Sequence, residues 1–277
     1  MVSSIHTNSA AMSALQVLNQ TNSELETAQN RVASGYKVAN SRDNSAVFAV
    51  AQNMRGDIGA LSAVEASLNR ANSVVDVALA GGEAISDLLI QMREKALAAA
   101  DPSLTATARS AYNEDFRALV SQVSTIVGDA TFDGANLING SQTNGISYIA
   151  DIDATDQITL GTEDLSLGGT IITFAATSSL GTATLASGLV STIDTALNNV
   201  NAALGRLGAT ATRLDTHLGF VSKLNDSLET GVGNLVDADM AKESARLTAL
   251  QTKQQLATQA LSIANSNSQS ILSLFQG

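Results

Sequence analysis

The stretch Leu61-Ser-Ala-Val64-Glu-Ala-Ser-Leu68-Asn-Arg-Ala71-Asn-Ser-Val-Val75-Asp-Val-Ala78-Leu-Ala-Gly-Gly82-Glu-Ala-Ile85-Ser-Asp-Leu-Leu89-Ile-Gln-Met92-Arg-Glu-Lys-Ala96 decides the fold. Stepped in alternating strides of three and four from Leu61, eleven positions are met, and ten of them are apolar; Gly82 is the exception. An apolar row at that spacing lies along one face of an α-helix, and five heptads in succession make it a coiled-coil seam. At about 1.5 Å per residue the segment is roughly 50 Å long.

The same stride continues on both sides. Asp101-Pro102 ends the first long helix, because proline removes a donor and restricts the residue before it. Beyond it Tyr112, Phe116, Leu119, Val123, Ile126 and Ala130 resume the grid. A second long run passes through Ile193, Ala196, Val200, Ala203, Leu207, Leu214, His217, Val221, Leu224, Leu228 and Leu235. The rod seam is therefore expected to hold Leu61, Val64, Leu68, Val75, Ile85, Leu89 and Met92 against Leu214, Val221 and Leu224. Thinner grids occupy the ends: Leu18, Leu25 and Val32 near the start, then Leu250, Leu261, Ile271 and Phe275 near the close. Gly35 and Gly56 read as turns or helix ends joining the terminal segments to the rod.

Between residues 138 and 187 the period changes. Asn139-Gly140, Asn144-Gly145 and Gly168-Gly169 are turn signals around the β-rich runs Ile146–Ile149, Gln157–Leu160 and Thr170–Phe174. The expected fold is mainly α: a long coiled-coil hairpin or bundle, its N- and C-terminal helices paired, with a small antiparallel β-rich tip at its far end.

Composition narrows the function. There is no Cys and no Trp, only one Pro and two His in 277 residues. That removes thiol nucleophiles, disulfides and Cys-ligated metals, and no nucleophile–base or acid-pair constellation suggests an enzyme. No catalytic residue, metal site or cofactor is expected. Formal charge is −11, and the segment 118–205 carries eight acids and no Lys or Arg. This charge disfavours nucleic acid and anionic membranes as partners. No run of 18 apolar residues forms a membrane span, and the opening residues lack the basic and apolar regions of a secretory signal. The acids Asp151, Asp153, Asp156 and Glu163 match no calcium-loop spacing and read as a solvated face, and His217 reads as a polar seam residue. Two thin terminal helices bury little by themselves, so the periodicity fits a self-assembling subunit with its ends inside and its middle outside. It fits a monomeric bundle with frayed ends equally.

Seven motifs in order go further. Ile5-His-Thr-Asn8, Arg31-Val-Ala-Ser-Gly-Tyr-Lys-Val-Ala-Asn-Ser-Arg-Asp43, Arg70-Ala-Asn-Ser-Val-Val-Asp-Val-Ala-Leu79 and Thr131-Phe-Asp-Gly-Ala-Asn-Leu137 occupy the first half. Leu207-Gly-Ala-Thr-Ala-Thr-Arg-Leu214, Leu235-Val-Asp-Ala-Asp-Met-Ala-Lys-Glu243 and Ala264-Asn265 through Leu274 occupy the second. Together they resemble bacterial flagellin of the alphaproteobacterial kind. Departures include Asn44-Ser45, Val47-Phe48 and Ser268, where many members carry Asp-Ala, Gly-Leu and Pro.

The resemblance implies a flagellar filament subunit for motility, with an inner core from residues 1–43 and 238–277. Rod segments would be 44–137 and 188–237, and 138–187 a short outer tip. It implies intersubunit burial of Leu18, Leu25, Val32, Leu250, Leu261, Ile271 and Phe275, and self-association into a helical homopolymer. It implies hook-associated junction and cap proteins and an export chaperone with the type III export apparatus as further partners, and an extracellular location reached without a cleaved signal. A hook–filament junction protein or a non-flagellar helical binding module are the rival readings. In many members an innate-immune receptor reads an Arg and a Leu around an Arg-Glu pair on the rod. Here Gln91 and Lys95 flank Arg93 and Glu94, so weak or absent receptor activation is expected.

Overall fold

A computed structural model describes the backbone of residues 8–276 and the side chains of 8–266. Its elements are α1 (Ser9–Ser34), α2 (Ser45–Ala99), α3 (Ala106–Asp129), β1 (Ile146–Ile149), β2 (Gln157–Leu160), α4 (Ala183–Val236) and α5 (Met240–Gln276). The chain divides into two compact units: Met1–Gly56 with Ser227–Gly277, and Asp57–Asp226.

In the central unit the seam is as the period requires. All eleven grid positions of α2 from Leu61 to Ala96 are buried, Val75, Ile85, Leu89 and Met92 completely. They meet α4 running antiparallel, with Ile193, Ala196, Val200, Ala203, Leu207, Leu214 and Val221 buried on its side. Polar rungs beside the seam mark the register: Asn72 Nδ2 donates to Asp215 at 2.9 Å, Ser86 to Asn201 at 3.3 Å, and Arg93 pairs with Asp194. Helix α3 lays Phe116, Val120, Val123 and Val127 into the same core. Gly82 breaks the apolar row for a steric reason. A Cβ there would stand 2.6 Å from Leu204 Cδ2, so the missing side chain is what lets α4 approach.

Leu224 departs from expectation, being 38% exposed. Past Val221 the buried positions of α4 are Val232 and Val236, one residue beyond the strict grid. A nearly straight helix drifts about 20° per heptad against a 3.5-residue repeat, so a rigid grid loses the buried face over such a length.

Two of the three β runs form strands. β1 and β2 pair antiparallel with Ile146 opposite Leu160 and Ile149 opposite Gln157. The third, Thr170–Phe174, makes only a single parallel bridge between Leu167 and Ile172. Gly168, at φ +79°, donates its N–H to the carbonyls of both Ile172 and Phe174, so the chain curls upon itself instead of extending. Its apolar residues are nonetheless used, with Ile171, Ile172 and Phe174 all buried.

The β-containing segment does not project from the far end of the hairpin. It folds back along the flank of α4: Asn199 Nδ2 donates to the Ile171 carbonyl, Arg206 binds Glu163, and His217 Nε2 lies 2.8 Å from the Ala150 carbonyl oxygen. The 53 residues between α3 and α4, with buried Leu137, Ile138, Leu160, Leu165 and Leu180, make a third layer over the helices, which extra apolar burial favours over a solvated protrusion.

Gly35 ends α1 in the left-handed conformation, φ +76°, as its position promised. Gly56 does not mark an end; it lies inside α2, where the helix continues through it. A single glycine costs about 1 kcal/mol in a helix interior, too little to interrupt 55 residues tied down by tertiary burial.

Candidate assembly interface

The terminal unit is built from α1 and α5. Asn8 caps α1 by accepting the Ala11 N–H at 3.0 Å, and Asp239 caps α5 by accepting the Lys242 N–H at 3.1 Å. The helices run antiparallel, since Asn8 Nδ2 donates to the Ala264 carbonyl, Gln254 to Asn22, and Arg31 to Glu243. At the Gly35 end, the Lys37 N–H donates to the Val236 carbonyl at 2.7 Å and the Ala238 N–H to the Gly35 carbonyl at 2.8 Å. Arg55 stacks over Tyr36 beside this clamp, 5.8 Å from the ring centre.

The seam between α1 and α5 is sparse. Leu25, Ala28 and Leu250 form its buried cluster, with Leu247 packed against them. Arg31 and Glu243 meet at 3.2 Å in the last turn of one helix and the first turn of the other, where each charge also suits its helix dipole. Glu243 is 8% exposed, and its second oxygen and Arg31 Nε are buried without partners.

This corrects part of the expected interface. Leu25 and Leu250 face each other within one chain and are 8% and 3% exposed, leaving little to bury against a neighbour. Leu18, Val32 and Leu261 are half-buried at the edges of the same seam. The side chains of Ile271 and Phe275 lie outside the described residues.

The apolar surface left over belongs to residues off the grid. Met12 and Leu256 are each 64% exposed, Ile263 is 61% exposed, and Leu15 and Val17 are about half exposed. Of these, Val17 and Ile263 line an open groove of about 590 Å³ floored by alanines, including Ala10, Ala14, Ala257 and Ala260. A signal for this second row existed in the sequence: Leu256 and Ile263 are seven apart, one heptad, offset from Ala257 and Ala264 by one residue.

On the central unit, Gln91 and Glu94 are exposed, while Arg93 and Lys95 are engaged by Asp194 and Asp115. The hydrogen bond to Asp115, then its charge, raises the Lys95 ammonium above its ordinary 10.5. Among the described residues no three His, Cys, Asp or Glu side chains converge. Asp151 is turned to Thr155, whose hydroxyl and amide it accepts; burial opposes ionisation, but these and other hydrogen bonds leave its carboxyl below the usual range. Glu163 holds Arg206 through two bonds of 2.6 Å, and His217 stacks obliquely near Phe220. Among the described residues no helix is long and apolar enough to cross a membrane.

A long antiparallel helical core, a pairing of the two chain ends and uncovered apolar surface on that pair define a class: a helical subunit that polymerises. The sequence relations name the family. Residues 5–143 match the bacterial flagellin N-terminal helical region and 190–275 the C-terminal helical region, leaving 144–189, where both strands lie, unmatched. The chain is 50% identical over 275 residues to flagellin FljM of Caulobacter vibrioides, covering 99% of each, and 36% identical over 285 residues to a flagellin of Brucella melitensis, covering all of each. Among solved structures, Bacillus cereus flagellin overlaps 56% of this chain and 88% of its own at TM-score 0.50 and 23% identity. A putative flagellar hook-associated protein from Vibrio parahaemolyticus overlaps 70% and 100% at 0.59 and 14%; at such identities both speak to fold alone.

The chain belongs to the bacterial flagellin family, of the alphaproteobacterial type. It is a structural subunit of the flagellar filament, and so extracellular.

Proposed function

We propose that the subunit joins its neighbours through the outer face of the α1–α5 pair, and that this pair forms the inner core of the filament. The observation that carries the reading is the number of large apolar side chains the pair leaves exposed, Met12, Leu15, Val17, Leu256 and Ile263, of which Val17 and Ile263 line an alanine-floored groove. Large apolar side chains exposed together on a thin two-helix unit are what a packing partner would cover. Leu18, Val32 and Leu261 complete the contact at the seam edges, and intersubunit burial of Ile271 and Phe275 is proposed on the family resemblance alone.

The charge balance supports the same division. The terminal unit has seven acids and seven bases, and the central unit nineteen acids and eight bases, so the whole −11 belongs to the central unit. Neutral surfaces can pack closely against copies of themselves, whereas the acidic unit suits contact with water. In the proposed arrangement residues 1–43 and 238–277 are inner, 44–137 and 188–237 form the rod, and 138–187 faces outward along it. Its role is structural, without catalysis.

Export by the flagellar type III route without a cleaved signal, an export chaperone, and contacts with junction and cap proteins belong to this reading. So does weak recognition by an innate-immune receptor, since Gln91 and Lys95 stand where many flagellins carry Arg and Leu. A reporter cell responding to this monomer as strongly as to an enterobacterial flagellin would refute that part.

The test is assembly of Ile263→Asp and Leu15→Asp, scored by negative-stain microscopy beside circular dichroism of the monomer. Both variants should lose filaments while changing monomer stability by no more than about 0.5 kcal/mol, as exposed sites do. Normal filaments from either would place the contact elsewhere.

A further inference from the structure

The segment between α3 and β1 carries two Asn-Gly pairs five residues apart, Asn139-Gly140 and Asn144-Gly145, and the fold treats them differently. Asn139 is tied at several points. Its N–H donates to Asn136 Oδ1 at 3.0 Å, and its own Oδ1 accepts the Ser141 N–H at 2.9 Å. Gly140 is half-buried against the Asp164 carboxyl group, whose carbon would lie 2.8 Å from a Cβ at that position. Gly145 is half-buried like Gly140, but Asn144 itself lacks the hydrogen bonds that tie Asn139. It is exposed, its side chain makes no hydrogen bond among the described residues, and the β1–β2 ladder starts only at Ile146, leaving the Gly145 amide outside it.

We infer that Asn144 is a site of spontaneous covalent modification, an intrinsic deamidation site, and that Asn139 is protected. The Gly145 backbone nitrogen loses its proton to hydroxide and bonds to Asn144 Cγ; the Cγ–Nδ2 bond breaks, and ammonia leaves. A five-membered succinimide results, and water opens it at either carbonyl to aspartate or isoaspartate. No oxidant, metal or enzyme takes part. Glycine is the residue that leaves this nitrogen least hindered, and asparagine is a thermolabile residue where the backbone allows the attack.

At Asn139 three things oppose the same step. The Ser141 N–H holds the amide oxygen in an Asx turn, which keeps Cγ from swinging onto the Gly140 nitrogen. Asn139 itself is half-buried, whereas Asn144 is exposed, so water and hydroxide reach the Asn139 side chain less readily. The Asp164 carboxylate beside Gly140 disfavours the amide anion that must form there.

The hairpin itself maintains the labile pair. Gly145 sits at φ +75°, and a Cβ there would collide with the Leu160 carbonyl oxygen across the ladder, so no other residue fits. Only position 144 is free to vary. Conversion adds one negative charge to an already acidic unit, and the isoaspartate form inserts an extra main-chain carbon immediately before β1.

The experiment is incubation of the full chain in mildly alkaline buffer, with peptide mass spectrometry and isoaspartate detection at both positions. In the folded protein Asn144 should convert at least about fivefold faster than Asn139, because only the former is locally unrestrained. In denaturant the two rates should converge, and Asp164→Asn should raise the rate at Asn139 in the folded chain. Equal rates in the folded protein, faster conversion at Asn139, or no conversion at Asn144 while the denatured chain converts would each overturn the inference. Persistence of the full rate difference in denaturant would overturn its structural basis. Asn144→Gln is the control that should remove the signal at 144.

Discussion

In the central unit every grid position of α2 from Leu61 to Ala96 is buried, whereas among the described residues of the terminal pair burial reaches only Thr21, Leu25 and Ala28 of α1, then Glu243, Leu250 and Ala257 of α5. Both follow the same heptad stride. The difference lies in what stands on the grid and what covers it. The central seam presents Leu, Ile, Val and Met, and α3 with the loop segment adds a third layer. The terminal seam sets Leu25, Leu247 and Leu250 among alanines and polar residues such as Thr21 and Glu243, between two helices alone. Periodicity therefore fixes which face turns inward, while side-chain volume and a further layer decide whether one chain can bury it.

The most direct way to break this comparison is to damage the better-covered seam. Leu89 is fully buried among helices, so Leu89→Ala should cost about 3 kcal/mol through lost burial and a residual cavity. Urea denaturation followed by circular dichroism should show it as a lower midpoint for the central unit. An unchanged midpoint would mean that the helical core relaxes freely around position 89.

The terminal pair should respond instead to a charge. Arg31→Ala leaves the Glu243 carboxylate buried without its counterion, a loss of order 3 kcal/mol for such sites, though the part-exposed arginine lets water moderate it. Hydrogen exchange should rise along α1 and α5 with the central helices unaffected. Protection retained in α1 would show that the seam holds without its ion pair.

Between these extremes stands Gly82, where two large helices meet. Gly82→Ala needs only a rotation of Leu204, and the better helix propensity of alanine offsets that cost. Gly82→Leu has no such relief and should cost about 2 kcal/mol by overpacking, seen as an earlier thermal transition. A neutral leucine variant would mean that α4 can retreat from α2.

These contrasts show what was legible in the sequence. The long helices followed from period, the α2–α3 break from Pro102, and the α1 stop from Gly35, because each is a local constraint that no tertiary contact opposes. Gly56 misled because a glycine's helix penalty is small against a 55-residue helix held by packing. Thr170–Phe174 has strand-like residues, yet its carbonyls at Ile172 and Phe174 turn back onto the Gly168 amide, a local curl that residue type does not reveal. The fold-back of the β segment along α4 rests on pairs such as Glu163–Arg206 and Ala150–His217, separated by 43 and 67 residues. At the proposed interface, the grid located the seam but not the exposed row beside it. An apolar residue one position off a seam is read as noise until its neighbours are seen to leave it uncovered.

The smallest effects concern the turn between α2 and α3, where two exposed ionised groups sharpen the picture of a well-tied central unit. Asp101 accepts the Ser103 N–H and hydroxyl, both at 2.8 Å, and these bonds hold its carboxyl below the ordinary 3.8. A depressed folded value means that the contribution is present above pH 3.8 and is lost as pH falls through that lower value. Lys95 has the opposite sign: raised by Asp115, its contribution is full below pH 10.5 and disappears as pH rises through the higher folded value. Asp101→Asn should therefore flatten stability on the acid limb, and Asp115→Asn should remove the alkaline loss that comes from Lys95. Both changes should be slight because water screens these exposed groups. Melting temperatures of the two variants across pH test the assignment; an unaltered acid limb in Asp101→Asn, or an unaltered alkaline limb in Asp115→Asn, would mean that the groups are held by contacts other than these.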